Sequence, residues 1–298
     1  MNLQTLAEGQ AASAVSFEFF PPKNAEMEAQ LWNAITRLAP LQPHFVSVTY
    51  GAGGTTRDRT HATVKRIAEE TSLKPAAHLT CVGASREEVD AVVRAYWKAG
   101  VRHIVALRGD MPELGQSYRA HEAGYETTAA LVAGIKKIAD FEISVSAYPE
   151  KHPDSRSLDW DIEILKAKAD AGASRAITQF AFDYGLFPRL RERAHKAGIK
   201  IPIVPGLMPT TNFKGVARMA GRCGAGIPAW LSRLYEGLDN DPESRKLVAA
   251  AVLVEQVRVL KAEGFDQFHF YTLNQAELTF AVCNILGIKP EKSSTAAS

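Results

Sequence analysis

Eight short runs of apolar, β-branched or aromatic residues punctuate this chain, and the stretches between them carry helical periodicity. The runs fall at residues 15–20, 45–50, 75–82, 103–107, 143–148, 175–182, 201–204 and 267–272. Between them, Leu31, Ala34, Ile35 and Leu38 repeat at the helical spacing, as do Val89, Val92, Val93 and Tyr96. Helix starts carry caps, as in Ser85–Arg86–Glu87–Glu88, and stops carry glycine, as in Lys98–Ala99–Gly100 and Lys196–Ala197–Gly198. Strands that are apolar at nearly every position suit a parallel sheet buried on both faces. Eight strand–helix units in 298 residues fit one closed (β/α)8 barrel, a TIM barrel in the α/β class. A doubly wound sheet fits less well, because the first strand runs into Phe20–Pro21–Pro22, which blocks a tight glycine turn into a helix.

The expected organisation is a single domain: an N-terminal extension over residues 1–14, the barrel over 15–290 and a polar tail over 291–298. Residues 227–241 read as an extra helix between the seventh and eighth strands, followed by a cap-like turn at Asp239–Asn240–Asp241–Pro242. With 46% apolar and 23% charged residues, the chain can bury a sizeable core, which excludes intrinsic disorder and a small disulfide-stapled fold. The 35 basic and 33 acidic side chains nearly cancel and form no basic block, so neither nucleic acid nor membrane is an expected partner. No apolar stretch is long enough to span a bilayer, and no secretory signal is visible. Cys81, Cys223 and Cys283 are odd in number and far apart, which supports neither a zinc site nor a disulfide framework and suits a reducing cytoplasm.

In such a barrel the active site lies at the C-terminal ends of the strands. Those ends offer, in order, Glu18; Thr49 and Tyr50; His78 and Thr80; Arg108 and Asp110; Tyr148, Glu150 and His152; Gln179; Pro205 and Met208; Tyr271 and Asn274. Any one of these could be a satisfied core polar group or a cap, and loops are polar in any case. Glu18 stands out as a carboxylate among three phenylalanines. Alternation puts Phe17 and Phe19 on the opposite face, so Glu18 points into the barrel. Desolvation there is expected to raise its pKa toward the range of a general acid, unless it is simply a buried Glu paired with Arg or Lys.

Arg108–Gly109–Asp110 combines a close-approach glycine with a donor fork and an acceptor, or is an ordinary turn with an ion pair. Gly51–Ala52–Gly53–Gly54–Thr55–Thr56 lacks the ending of a phosphate loop and reads as a βα-loop whose threonine caps the next helix. His78 and His152 lack partners at metal-ligand spacing, so no metal is expected and cofactor contacts suit them better. No lysine ends a strand for a Schiff base, and no serine elbow appears. What is left is a barrel with one buried acid and several uncharged polar groups, suited to a redox enzyme that borrows its chemistry from an organic cofactor.

Several segments together resemble bacterial methylenetetrahydrofolate reductases. They are Ser16–Phe17–Glu18–Phe19–Phe20–Pro21–Pro22, Val46–Ser47–Val48–Thr49–Tyr50, His78–Leu79–Thr80–Cys81, Ala106–Leu107–Arg108–Gly109–Asp110 and Ala147–Tyr148–Pro149–Glu150. Arg175–Ala176–Ile177–Thr178–Gln179–Phe180, Ile227–Pro228–Ala229–Trp230 and Phe268–His269–Phe270–Tyr271–Thr272–Leu273–Asn274 continue the series in family order over residues 15–288. The resemblance implies a (β/α)8 flavoprotein that holds FAD, is reduced by NADH or NADPH, and then reduces methylenetetrahydrofolate in a ping-pong scheme. It implies a homo-oligomer as well. Glu18 matches the family's general acid, Asp110 its aspartate near flavin and pterin, and Gln179 its glutamine shared by nicotinamide and folate.

For FAD the resemblance points to Thr49, Tyr50, Ala52, His78, Arg108, Gly109, Asp110, Tyr148, His152, Asp161 and Lys168. Asp161 and Lys168 lie two helical turns apart and would meet the ADP half. The chain also departs from the family. Ile164 and Ala167 stand where an Asn and an Arg are usual, with Lys166 as a substitute. Met219 replaces a Phe that packs on the ligand, Gly215 a Gln, and Gln275 an Arg near the folate tail. Two other readings compete: a flavin barrel oxidising a small amine, proline-dehydrogenase-like, which would need arginines at the eighth strand, and a non-catalytic folate- or flavin-binding protein.

Overall fold

A computed structural model of the chain describes residues 13–50, 57–111 and 118–290. Parallel strands in the order β7-β6-β5-β4-β3-β2-β1-β9-β8 form its centre. They are β1 (Ala14–Phe19), β2 (Phe45–Val48), β3 (Pro75–Thr80), β4 (His103–Leu107), β5 (Glu142–Ala147), β6 (Arg175–Thr178), β7 (Ile203–Val204), β8 (Gly206–Leu207) and β9 (Gln267–Tyr271). β7 and β8 are two halves of one run divided at Pro205. The first half pairs with β6 and the second with β9, so the sheet closes through residues 203–207. Pro205 has no N–H to extend the ladder, but its carbonyl accepts from His269 N at 2.9 Å. Gly206 is required at this kink: a Cβ there would lie 2.1 Å from the Thr178 carbonyl and 2.7 Å from the Tyr271 ring. The expected eight-stranded barrel is therefore present, with its seventh strand broken in two.

Ten α-helices are present among the described residues: α1 (Ala25–Leu38), α2 (Arg57–Glu70), α3 (Arg86–Lys98), α4 (Thr128–Ile138), α5 (Leu158–Asp170), α6 (Leu186–Lys196), α7 (Phe213–Cys223), α8 (Ala229–Leu234), α9 (Pro242–Ala262) and α10 (Glu277–Ile285). The cap expected at Ser85 is a full capping box with Glu88, and Gly100 and Gly198 follow their helices with left-handed φ of 84° and 75°. The extra helix is shorter than its sequence suggests. It occupies only α8, because the chain turns through Gly237 at φ 78°, and Asp241 caps α9 by accepting from Ser244 N at 2.9 Å.

Alternation along the strands builds two apolar regions. Phe17, Phe19, Val46, Val48, Leu79, Ile104 and Ala106 face outward and pack under the helices with Leu31, Ile35, Val93 and Leu131. Phe45, Ala76, Val105 and Ile177 form a separate cluster. Strand ends are shorter than the apolar runs, so Thr49, Tyr50, Tyr148 and Gln179 fall in the loops just beyond them.

Where β1 ends, Asn274 takes over the role of a neighbouring strand. Its Oδ1 accepts from Phe20 N and its Nδ2 donates to Phe20 O, both at 3.0 Å. Leu273 and Asn274 both adopt left-handed backbone, at φ 52° and 55°, a conformation that asparagine tolerates better than leucine. Asn274 is 2% exposed, so losing its side chain strands two partly buried backbone groups. Asn274→Gly, which keeps the backbone free to adopt this φ, is expected to lower unfolding stability by about 1–3 kcal/mol, and Asn274→Ala by more. Urea denaturation measures both, and a Gly variant as stable as wild type would remove the clamp from this account.

Candidate active site

Glu18 sits one residue before the end of β1, paired in register with Tyr271 of β9 and Ser47 of β2. Its backbone is fixed by Thr272, whose Oγ1 donates to Glu18 O at 2.7 Å. Its side chain is 18% exposed and lines a cavity of about 470 Å³ at the C-terminal end of the barrel. The partner is neither Arg nor Lys but two imidazoles: His78 Nε2 lies 3.2 Å and His269 Nε2 3.5 Å from Glu18 Oε2. The expected upward pKa shift is overturned as a result. Burial pushes the carboxyl up, but the positive potential of His78 and the bonds offered by both rings outweigh it and hold Glu18 down at about 2. Alternation on β1 correctly placed the carboxylate inside; the histidines come from β3 and β9, which only the closed barrel brings beside it.

Thr49, Tyr50, His78, Asp110, Tyr148, Gln179 and Met219 line the same cavity as Glu18. Gln179 comes from the loop after β6, and its Oε1 accepts from Phe180 N at 3.0 Å. Met219 and Cys223 stand one turn apart on α7 and form one wall. Gln275 is not brought here; it lines two neighbouring clefts, one against α9 and one against α1. Ala52 and the threonine cap expected at residues 55–56 lie outside the described residues. Among the described residues, no arginine lines the central cavity, which removes the anchor that a small amino-acid substrate would need.

A second cavity, of about 290 Å³, continues from the first and shares Tyr50, Leu107, Asp110, Ser146 and Tyr148 with it. Arg108, Gly109, His152, Asp161 and Lys168 line this extension. Gly109 has φ 85°, and a Cβ there would lie 2.4 Å from Val82 Cγ1, so the turn after β4 admits no larger residue. Arg108 does not pair with Asp110; it donates to Asp154 at 2.6 Å and lies over the Tyr118 ring, two partners that sequence reasoning missed. The Lys168 amine is buried and donates to Ser146 O at 2.6 Å; desolvation lowers its pKa to about 8 against the pull of Asp161. The Asp161 carboxylate accepts from His152 N at 3.0 Å, and the His152 ring packs edge-on to Tyr148. Trp160, Ile164, Leu165 and Leu190 supply an apolar wall.

Glu150, considered beside His152, faces elsewhere and accepts from Gly226 N at 2.9 Å, tying the loop after β5 to the segment before α8. No cluster of three or more metal-ligating side chains occurs among the described residues.

A closed parallel barrel with an acid inside it and a two-part cavity at its C-terminal face defines an enzyme of the (β/α)8 class. Comparison with known proteins narrows the class. The family profile described as Methylenetetrahydrofolate reductase matches residues 2–287, and the chain belongs to that family. It is 50% identical over 287 residues to 5,10-methylenetetrahydrofolate reductase of Salmonella typhimurium, covering 96% of this chain and 95% of that protein. To the Escherichia coli protein of the same name it is 49% identical, with the same coverage. Among solved structures, a protein of Clostridium thermocellum that binds two copies of 5-methyl-5,6,7,8-tetrahydrofolic acid has the same fold, with a TM-score of 0.59 at 12% identity over 96% of this chain and 98% of that one.

The Glu18 carboxyl holds its proton more weakly in the folded protein than in the unfolded chain. The stability it contributes is therefore complete above its ordinary value of 4.5 and is lost as pH falls toward about 2. Urea titrations at a series of pH values should show the stability advantage of wild type over Glu18→Gln shrinking as pH drops through that window. An advantage independent of pH would mean that the imidazoles do not hold the carboxylate ionised.

Proposed function

We propose that this protein reduces 5,10-methylenetetrahydrofolate to 5-methyltetrahydrofolate, with NADH or NADPH as donor and FAD as the resident cofactor. The observation that carries this reading is the grouping of an acid, Glu18, with Asp110 and Gln179 around one cavity that continues into a second. Membership of the reductase family, matched over residues 2–287, supports it.

The residues present suit FAD. The extension offers an apolar wall, the cations Arg108 and Lys168, and a turn at Gly109 where the backbone alone fits. His152, Asp161 and Lys168 would hold the ADP half there, with Ile164 adding apolar area where a polar contact is usual. Thr49, Tyr50, His78, Asp110 and Tyr148 would hold the isoalloxazine end in the central cavity. When bound, FAD supplies the chemistry of hydride relay between nicotinamide and folate.

The chain's own work is positioning and proton transfer. Gln179 and Met219, which both line the central cavity, would orient nicotinamide and pterin in turn. Asp110 places a carboxylate beside the pterin. Glu18 would give a proton to folate N10, which breaks the N10–methylene bond, leaves the electron pair on N10 and produces the iminium at N5. Its carboxylate then faces that cation across the cavity, an attraction strengthened by the low local dielectric. Gln275, distant from the central cavity, would meet only the outer part of a long folate tail. A homo-oligomeric assembly and a cytoplasmic setting accompany this reading and rest on the family resemblance. Among the described residues no helix is long and apolar enough to cross a membrane.

The purified protein is expected to be yellow and to bleach anaerobically with NADH or NADPH. Glu18→Gln should retain that bleaching yet slow reoxidation by methylenetetrahydrofolate by on the order of 10²–10⁴-fold. Stopped-flow absorbance of the two half-reactions measures this. A protein that stays colourless and inactive after FAD is added would sink the reading, and an equal loss in both half-reactions would make Glu18 structural.

A further inference from the structure

His269 is 0% exposed and does not line the cavity, yet its ring lies directly behind the Glu18 carboxylate. Three contacts fix it there. Nδ1 is 2.7 Å from Ser16 Oγ, its register partner on β1. The ring stacks on Phe45 with centroids 5.8 Å apart, and Tyr271 packs edge-on at 5.3 Å. Nε2 has no hydrogen-bond partner other than what Glu18 Oε2 can offer at 3.5 Å. Side-chain contacts of this kind are commonly long before substrate binds. Ser16 Oγ also lies 3.5 Å from Phe268 O, so the hydroxyl can accept from Nδ1–H while donating onward to that carbonyl.

This placement bears on how Glu18 obtains its proton. A lone carboxylate is costly to bury, and an imidazolium equally so, but a carboxyl–imidazole couple that shares one proton has no net charge in either form. We propose that His269, oriented by Ser16, is the positioning residue for Glu18, and that the two groups hold one proton between Nε2 and Oε2. The inference rests on Glu18 being the acid of the proposed reaction. The proton passes from His269 Nε2 to Glu18 Oε2 and from the carboxyl to folate N10. His269 is then neutral, with Nδ1–H still donating to Ser16. The couple is left with one negative charge facing the iminium, which it stabilises. After product leaves, a proton from water entering the open cavity returns to the couple through Glu18, since His269 has no other contact with it.

The charged and titratable groups around His269 come from several strands. Glu18 favours its protonation; His78 from β3 and Arg175 from β6 oppose it, and burial opposes it most. Arg175 is itself paired with Glu142 of β5, and its guanidinium also lies over the Phe45 ring. His103 of β4, held by Ser144 at 2.8 Å, packs against the same phenylalanine. Because two sites can hold the shared proton, the couple retains it to higher pH than Glu18 could beside an uncharged amide.

The test is the pH profile of the folate half-reaction in the flavin-loaded full chain, with flavin reduction by nicotinamide in the same preparation as internal reference. His269→Gln should slow the folate half-reaction by on the order of 10²-fold relative to the reference. The pH at which that rate declines should move down by about one unit or more. Ser16→Ala should move the decline the same way by less, and Ser16→Thr, which restores a hydroxyl, should return it. An unmoved profile in His269→Gln overturns the proposal, as does an equal fall in both half-reactions. Nitrogen NMR of the His269 ring gives a readout independent of turnover. Its titration should change between wild type and Glu18→Gln, and identical titrations would also overturn the couple. If wild type fails to oxidise with methylenetetrahydrofolate, the proposed function fails, while the ring titration still decides whether the couple exists.

Discussion

The parallel pairing of β1 with β9 is the contact on which the rest of the molecule depends. It joins the first strand to the last, so it turns a row of strands into a barrel, and it aligns Ser16 with His269 and Glu18 with Tyr271. Beyond the last ladder rung the seam is continued by side chains. Thr272 Oγ1 holds Glu18 O, and the Asn274 amide holds both backbone groups of Phe20 before the two prolines remove any further donors. On the other edge of β9, Tyr271 OH donates to Thr178 O at 2.7 Å across Gly206, which binds β6 to the same strand. One seam thus sets the mouth of the barrel and the height of its acid together.

Inside the barrel, polar groups survive burial by meeting one another. Ser16, Glu18, His78 and His269 form one group, and Glu142, Arg175, His103 and Ser144 another, with the Phe45 ring in contact with both. An aromatic face is an inexpensive wall here because it fills volume and still attracts a guanidinium. Neither group carries a large unbalanced charge, as a low-dielectric interior demands. The near-neutral whole chain, with a formal charge of +2, has the same character locally: Arg108 is matched by Asp154 and Lys168 lies beside Asp161.

The two cavities divide the chemistry between rigid and irregular structure. The acid, its imidazoles and the apolar cluster of Phe45, Ala76, Val105 and Ile177 sit on strands or at their ends, where pairing with neighbouring strands fixes the backbone. The extension is built largely from loops after β4 and β5 and from α5, where Asp161 and Lys168, two turns apart, face the same space. Ile164 lines the extension and Met219 the central cavity.

The sequence by itself determined the architecture. Short apolar runs and helical spacing are local properties, so eight strand–helix units, the inward side of Glu18 and the capping box at Ser85 were all readable along the chain, and family motifs spread over residues 15–288 fixed the class of chemistry. The kink at Pro205 could be read as a proline but not as a division of one strand between two neighbours, because that depends on which strand each half meets. Tertiary structure alone decided the ionisation of Glu18. Burial, the term that sequence exposes, points upward; the opposing imidazoles arrive from residues 78 and 269, at distances along the chain that no local pattern encodes. His269 was visible only within an apolar run and a family motif, with no role attached to it; the Asp154 partner of Arg108 was not foreseen, and Gln275 turned away from the central cavity. Charge interactions fall off over a few ångströms in space, and only the folded barrel sets those distances.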